Sequence, residues 1–255
     1  MSIHYLAVVL IGVFLGQGGN SLAANLSFPE NLPGRIEYGE QGESIRILDE
    51  EKAIFEYPFD EFKNWAVKNW DNLFPKPPSF GNIVTIYPDD FAFFDRSASL
   101  SSDGKTLAFS VHRYFAASFA SYVGIVDIDT REVNLINKTN MGNIDKLIWS
   151  KDGTHLAYTL HTGRAAGDYL SVDNMKEMIK KFTLSEDDIA KFISPLSDGY
   201  MPCFDILKWC PGTDRLIFTT SDPQSTESGK NKIYWSIDKQ GNNLIKEGRF
   251  TKESK

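Results

Sequence analysis

The sequence SLSSDGKTLAFSV at residues 99–111 recurs, with substitutions, as LIWSKDGTHLAYTL at 147–160 and as LKWCPGTDRLIFTTS at 207–221. The three copies align without gaps, with Leu100, Trp149 and Trp209 at one position. Each copy has an apolar strand, a turn built on Asp-Gly or Pro-Gly-Thr-Asp, and a second strand that alternates apolar and polar residues. The copies lie about 50 to 60 residues apart, which indicates a repeated supersecondary unit.

Two further strands are predicted after each hairpin. The third strands read YVGIVDID, DYLSVD and KIYWSID, and the fourth strands read EVNLI, MIKKFTL and NNLIKE. Short polar turns connect them, as antiparallel hairpins require. Four antiparallel strands that then repeat are typical of the blade of a β-propeller. The sequence therefore predicts an all-β protein.

A partial blade precedes the three repeats. The segments GRIEYG, ESIRILDE and AIFEYP, within 34–58, resemble the second, third and fourth strands of a blade. A strand near the amino terminus or within Ile86–Phe94 would complete it. We therefore expect a propeller of about four four-stranded antiparallel blades, or a half-propeller, in which 24–98 form the first, partial blade and 99–255 form three more.

Two short helical insertions interrupt the β pattern. In 59–74, apolar residues recur at three- and four-residue steps, and Pro75 ends the segment. Such a stripe is typical of a helix packed on a core, although it would also suit partner docking. Ser185 and Asp188 form a capping-box start to a second, shorter helix.

The amino terminus predicts export. An apolar run from Tyr5 to Leu15 is followed by small and polar residues, as in a secretory signal peptide, with cleavage expected after Ala23. An uncleaved membrane anchor is the alternative, but the run is shorter than the roughly 20 residues that a spanning helix needs. We expect a periplasmic or secreted chain with no membrane span once 1–23 are removed.

Strand direction places the long connections on one face of the propeller and the tight turns on the other. Binding residues usually collect on such loops. The candidate ligand-binding residues in the long connections are His112, Arg113, Tyr114, Phe115, Phe119, His161 and Arg164. The alternatives are that the histidines and arginines are solvated and that the aromatic residues fold back over the blade edge.

Composition and motifs exclude several classes of function. The net charge of −7 makes nucleic acid an unlikely ligand, because an acidic surface repels phosphates. No catalytic or cofactor fingerprint is present, and four histidines cannot assemble a His-rich metal site, so we assign no catalytic residue, metal or cofactor. Cys203 and Cys210 could pair in an oxidising compartment; the alternative is two small apolar side chains, which on one extended strand would lie too far apart to bond.

The repeats resemble the WD40-like repeats of the TolB propeller family. The copies SSDGKTLAFS and IWSKDGTHLAYT match its Ser-Pro-Asp-Gly-x-x-Leu-Ala-Phe pattern, with Ser102 or Lys151 in place of proline. The resemblance covers about 99–247. It implies an exported platform for protein interactions or an accessory domain of a peptidase. TolB itself looks like a six-bladed propeller preceded by an α/β domain, and this chain is shorter than that arrangement requires.

Two functions from different classes follow. The first is a non-catalytic scaffold that binds a protein or a cell-envelope component through the long-loop face. The alternative is a hydrolase or lyase that acts on an acidic saccharide at the channel mouth. The small number of blades leaves a four-bladed ring, a half-propeller completed in a homodimer, or a truncated relic.

Overall fold

The computed structural model describes residues 35–73, 79–80, 84–85, 87–115, 118–137, 142–162, 168–192, 203–221 and 232–250. Their sheets are antiparallel throughout. The predicted signal peptide at 1–23 lies outside the described residues.

Four sheets follow one another along the chain, each with its strands in sequence order. Sheet 1 contains β1 (Arg35–Tyr38), β2 (Ser44–Asp49) and β3 (Lys52–Pro58). Sheet 2 contains β6 (Phe91–Leu100), β7 (Thr106–Phe115), β8 (Ser118–Asp127) and β9 (Val133–Asn137). Sheet 3 contains β10 (Asn143–Trp149), β11 (His155–His161), β12 (Asp168–Asn174) and β13 (Ile179–Leu184). Sheet 4 contains β14 (Asp205–Cys210), β15 (Arg215–Ser221), β16 (Lys232–Asp238) and β17 (Ile245–Phe250).

Most of the remaining elements connect sheet 1 to sheet 2 or sheet 3 to sheet 4. They are β4 (Ser79–Phe80) paired with β5 (Val84–Thr85), the helices α1 (Phe59–Leu73) and α2 (Glu186–Ala190), and a 3-10 turn at Pro88–Asp90. A second 3-10 turn, Glu40–Gly42, joins β1 to β2. Neither helix in this part of the chain is long and apolar enough to cross a lipid bilayer.

The four sheets are successive blades of a β-propeller, as predicted. Their first strands β6, β10 and β14 are neighbours, and separate apolar clusters lie between sheets 1 and 2, 2 and 3, and 3 and 4. Sheet 1 has three strands among the described residues. The strand expected at Ile86–Phe94 begins at Phe91 and belongs to sheet 2, because β6 pairs with β7 and not with β1.

The conserved form of the repeat has a local cause in its first tight turn. Ser101 Oγ donates to Asp103 Oδ1 over 2.7 Å and accepts from the Thr106 amide over 2.9 Å. Ser150 and Asp152 form the same pair over 2.6 Å. Gly153, which follows Asp152, has a positive φ of 65°, which glycine adopts without strain. The third copy replaces the serine by Cys210, and so lacks this hydroxyl.

The repeated tryptophan joins sheet 3 to sheet 2 and sheet 4 to sheet 3. Trp149 Nε1 donates to the Ser99 carbonyl in sheet 2 over 2.9 Å, and Trp209 Nε1 donates to the Ile148 carbonyl in sheet 3 over 3.2 Å. Both side chains are almost buried. These bonds hold the first strands β6, β10 and β14 side by side, so the beginnings of these strands lie near one another.

Both helices confirm the sequence predictions. The stripe of α1 packs on the core through Phe59, Phe62 and Ala66, which are buried between sheets 1 and 2. The N-cap of α2 is Ser185, whose amide donates to Asp188 Oδ2 over 3.0 Å in the predicted capping box.

The outer faces of the two end sheets are polar. On sheet 1, Arg46 Nε contacts Glu56 Oε1 over 2.9 Å. On sheet 4, Arg215 donates to Ser236 Oγ over 2.8 Å, and Ser236 in turn donates to Glu247. At the position of Ser236, sheets 2 and 3 carry the apolar Ile125 and Val172, so the outer face of sheet 4 differs in chemistry from the faces between sheets.

Candidate functional site

The strand register separates two ends of the sheet stack. Short turns at 101–105, 150–154 and 211–214 lie at one end, which we call the tight-turn face. At the other end β6, β10 and β14 begin while β7, β11 and β15 finish, as the pairs Phe91↔Arg113 and Asn143↔His161 show. This end, the long-loop face, carries the longer connections.

A cleft of about 390 Å³ opens on the long-loop face between sheets 2 and 3. This volume is in the range of small-molecule sites, roughly 300–1,000 Å³. We call it the mouth cleft. It is lined by Phe93, Asp95, Arg96, Ser97, His112, Tyr114, Asn143, Ile144 and Asp145. An adjoining hollow toward sheet 1 shares Phe93, Asp95, Arg96 and Tyr114 with it.

Three rings form one wall of the mouth cleft. Phe93 and His112 stack with centroids 4.7 Å apart and planes 6° apart. The Tyr114 ring meets both edge-on, at centroid distances of 5.9 Å and 5.6 Å. Tyr114 is 61% exposed, whereas His112 is 5% exposed and Phe93 is half-buried, so the two inner rings hold the outer one in position.

The Asp95 carboxylate also lines the mouth cleft, and its partners are in sheet 2. It accepts from Ser110 Oγ over 2.6 Å and lies 3.3 Å from His112 Nδ1. A carboxylate at this distance from Nδ1 orients the imidazole ring, so that Nε2 points away from Asp95. Asp95 and His112 therefore form a paired unit rather than a free charge.

Two neighbouring residues of β6 are different, because they lack partners in the described part of the chain. The Arg96 side chain is exposed and forms no ion pair there. Ser97 is 5% exposed, yet its hydroxyl forms no hydrogen bond with any described residue. Since a buried hydroxyl without a partner is costly, Ser97 indicates a place where a ligand or water would bond.

Sheet 3 contributes a linked group of charges on the far side of the mouth cleft. His161 Nδ1 lies 2.8 Å from Asp168 Oδ2, and His161 Nε2 lies 3.7 Å from the exposed Asp145. The hydrogen bond to Asp168 raises the pKa of His161, against the opposing effect of burial. The two predicted histidines thus approach one cleft, His112 directly and His161 through Asp145.

A second charged group lies farther along the same face. Lys146 Nζ and Lys232 Nζ contact the two oxygens of Asp205 over 3.4 Å and 3.0 Å. Burial raises the pKa of Asp205, but hydrogen bonds from the lysines outweigh it and hold the pKa below its ordinary value. This carboxylate is therefore charged and internally neutralised.

The structure does not bring the two candidate residues of β7, His112 and Arg113, into one site. Successive side chains of a strand point to opposite faces, so His112 faces sheet 3 while Arg113 faces sheet 1. Arg113 is 1% exposed and donates to the Tyr122 hydroxyl over 2.8 Å. It is neither solvated nor part of the mouth cleft. Arg164 lies outside the described residues.

The segment that the sequence assigned to a loop, 112–121, is largely a hairpin. β7 continues to Phe115 and β8 begins at Ser118, with Tyr114 opposite Phe119. The pairing of β7 with β8 continues to Phe115↔Ser118, so Tyr114, Phe115 and Phe119 lie on strands. Cys203 and Cys210 are both free thiols, separated along extended chain.

Two lining residues of the mouth cleft, and one charged residue farther along the long-loop face, were not predicted from the sequence. Arg96, Asp145 and Asp205 each lie four positions before the aligned Leu100, Trp149 or Trp209. In all three strands the register shifts close to this point, and such bulges redirect side chains at sites. A charged residue four positions before the aligned residue of each repeat was the sequence signal that could have identified these positions.

Among the described residues, no cluster of three or more His, Cys, Asp or Glu side chains could hold a metal ion. The arrangement in the mouth cleft is that of a polar binding site with an aromatic wall, a guanidinium and an unbonded hydroxyl. Such a set can hold a small polar ligand in a fixed orientation.

No protein-family model matches this sequence, and no curated protein matches it. Among solved structures, it is similar to the β-propeller domain of the trilobed protease from Pyrococcus furiosus, with 13% identity, a TM-score of 0.42, and coverage of 62% of this chain and 42% of that chain. It is also similar to a chain of a nidogen/laminin complex, with 9% identity, a TM-score of 0.43, and coverage of 82% and 59%.

An oligogalacturonate lyase in complex with manganese has 10% identity, a TM-score of 0.45, and coverage of 84% of this chain and 52% of that chain. The chain therefore spans less than two thirds of each of these three proteins. Identities this low describe a likeness of fold, and one fold hosts many functions.

Proposed function

We propose that this chain is an exported propeller of the TolB-like type that binds a protein or another cell-envelope component without catalysing a reaction. The observation that carries the proposal is Tyr114, which is 61% exposed at the rim of the mouth cleft on the long-loop face. Large exposed aromatic side chains are enriched at binding sites because they contribute apolar contact at a small entropic cost.

The surroundings of Tyr114 support a binding role. The ring is held by Phe93 and His112, and the latter is held by Asp95. A side chain fixed before the ligand arrives loses little conformational freedom on binding. The repeats in sheets 2 to 4 and the apolar run at 5–15 support the TolB-like and exported parts of the proposal.

The binding role is tested with Tyr114→Ala in the mature chain, using purified protein and detergent-solubilised envelope from the source cells. We expect the amount of retained partner to fall at least about five-fold, the loss of roughly 1 kcal/mol that marks an anchoring aromatic. The melting temperature should stay unchanged, because the exposed ring contributes little to folding.

The matched control is Ile54→Ala, which truncates a side chain that is 60% exposed on sheet 1, away from the mouth cleft. Tyr114→Phe should retain most of the binding. Equal retention by wild type and Tyr114→Ala would overturn the assignment of this face.

Export is tested by fractionating cells that produce the full chain or the chain without 1–23. We expect the full chain outside the cytoplasm and the shortened chain within it. A full chain that stays in the cytoplasm would overturn the exported part of the proposal.

A hydrolase or lyase acting on an acidic saccharide is the second candidate. It is favoured by one observation: His112 is oriented by Asp95 in the same cleft as Arg96, an arrangement suited to a base beside a carboxylate-binding group. Incubation with oligouronides tests it, with product followed by reducing ends and ultraviolet absorbance. Turnover that His112→Ala abolishes would support the enzyme, whereas unchanged substrate would remove it.

A further inference from the structure

The mouth cleft contains a positive charge that no described residue neutralises. Asp95, the nearest acidic side chain on the same strand, is already bonded to Ser110 and His112. Asp145, on sheet 3, lies 3.7 Å from His161. The exposed Arg96 guanidinium therefore remains available, and its planar donors suit a carboxylate.

Beside Arg96 the mouth cleft offers groups that suit hydroxyls. Ser97 is 95% buried and its hydroxyl has no hydrogen-bond partner among the described residues. The Asn143 amide can both donate and accept, and the Asp145 carboxylate accepts. A ligand with several hydroxyl groups would satisfy Ser97 and bond to both residues of sheet 3.

The mouth cleft also has an aromatic wall. Phe93 and Tyr114 line the same space, with ring planes 74° apart. The C–H face of a pyranose ring packs on such a surface, while its hydroxyls reach the polar side. An extended peptide would instead need a longer groove with a row of backbone partners.

We propose that the mouth cleft is a subsite for an acidic sugar, with Arg96 binding the carboxylate, Ser97, Asn143 and Asp145 binding ring hydroxyls, and Tyr114 packing on the ring. This proposal rests on the proposed binding function and names the chemical class of the envelope ligand. The sugar is either a free uronic acid or one unit of a uronic-acid polymer.

The experiment is isothermal titration of the mature chain with galacturonic acid, glucuronic acid, their oligomers of two to four units, and the neutral galactose and glucose equivalents. We expect binding of at least one acidic probe and at least about ten-fold weaker binding of its neutral counterpart, since a hydrogen bond between charged groups contributes more than one between neutral groups. Oligomers binding more tightly than monomers would assign the polymer as the source, and equal affinity would assign the free sugar.

Three variants test the residue roles. Arg96→Gln should weaken the acidic probe at least about ten-fold and leave any neutral binding unchanged, and Arg96→Lys should restore part of the affinity. Ser97→Ala should weaken both classes of probe. The control, Arg35→Gln, removes an exposed arginine from sheet 1 and should change neither.

The proposal is overturned if no acidic sugar binds, if Arg96→Gln binds acidic probes as wild type does, or if a tripeptide with a free carboxyl terminus binds and the sugars do not. Retention of an envelope partner through Tyr114 in the same preparations would then show that the binding function stands while the sugar assignment fails. Loss of both would remove both.

Discussion

The burial and the hydrogen-bond partners of a side chain in this protein depend on the face of the blade that it occupies. Asp173 illustrates the point, because it occupies the position of Val126 in sheet 2 and Ile237 in sheet 4. It is 1% exposed and accepts from the Tyr158 hydroxyl over 3.0 Å, while its other oxygen has no partner among the described residues. Burial raises the pKa of Asp173 to about 6, and Lys180 only partly opposes it.

This carboxyl predicts a pH-dependent stability. The raised pKa means that the folded chain binds this proton more tightly than the unfolded chain, so the contribution of Asp173 to stability is greatest below about pH 4 and is lost as the pH rises through about 6. Asp173→Asn should remove that fall and add on the order of 3 kcal/mol at most to the free energy of unfolding at pH 7. Thermal melts from pH 4 to 8 measure it.

Asp129→Asn is the control, since Asp129 is exposed at a tight turn. Its profile should follow wild type. An Asp173→Asn profile that is parallel to wild type across the range would contradict the buried, protonated carboxyl.

At the scale of strands and blades, close packing limits side-chain size at particular positions. Gly124 in β8 lies opposite Phe109 of β7. A Cβ on Gly124 would lie 2.5 Å from the Phe109 ring, which is fully buried between sheets 1 and 2. Glycine is therefore required there to let the ring lie across the neighbouring strand.

Gly124→Ala should destabilise the chain by about 1–3 kcal/mol in urea denaturation, since the buried ring cannot move aside without strain. Gly248→Ala provides the comparison, because Gly248 is also in a strand and no atom lies within 4 Å of its added Cβ. That variant should be neutral or slightly more stable, as a less flexible unfolded chain implies. Equal effects of both variants would refute the packing argument.

The blades were predictable from sequence because their determinants are local. Ser150 and Asp152 bond within one turn, and the capping box of α2 spans four residues. The mouth cleft was not predictable in the same way, because Arg96 and Asp145 come from different sheets and depend on bulges in two strands. Strand alternation also places His112 and Arg113 on opposite faces of sheet 2, whereas the loop expected from the sequence would impose no such alternation.

For the whole molecule, the apolar clusters order the sheets from 1 to 4 and none joins sheet 4 to sheet 1 among the described residues. The outer faces of both end sheets carry hydrogen-bonded polar groups, such as Arg46 with Glu56 and Arg215 with Ser236. A homodimer formed by stacking these ends would have to bury them, which is costly unless every group is paired again.

We therefore expect the mature chain to have the mass of a monomer in light scattering at micromolar concentration. Arg46→Leu with Glu56→Leu would make the outer face of sheet 1 apolar and should promote association. A dimer of the wild-type chain that these changes leave unaffected would contradict the role given to the end faces.

The central claim is that the long-loop face, and not the tight-turn face, binds the ligand. Site-specific photo-crosslinking in the source cells tests it most directly, with the crosslinking residue placed at Tyr114 or Asn143 on the long-loop face and at Lys105 or Thr213 on the tight-turn face. The account predicts adducts from the first two positions and none from the other two. Adducts from Lys105 or Thr213 without adducts from Tyr114 or Asn143 would contradict it.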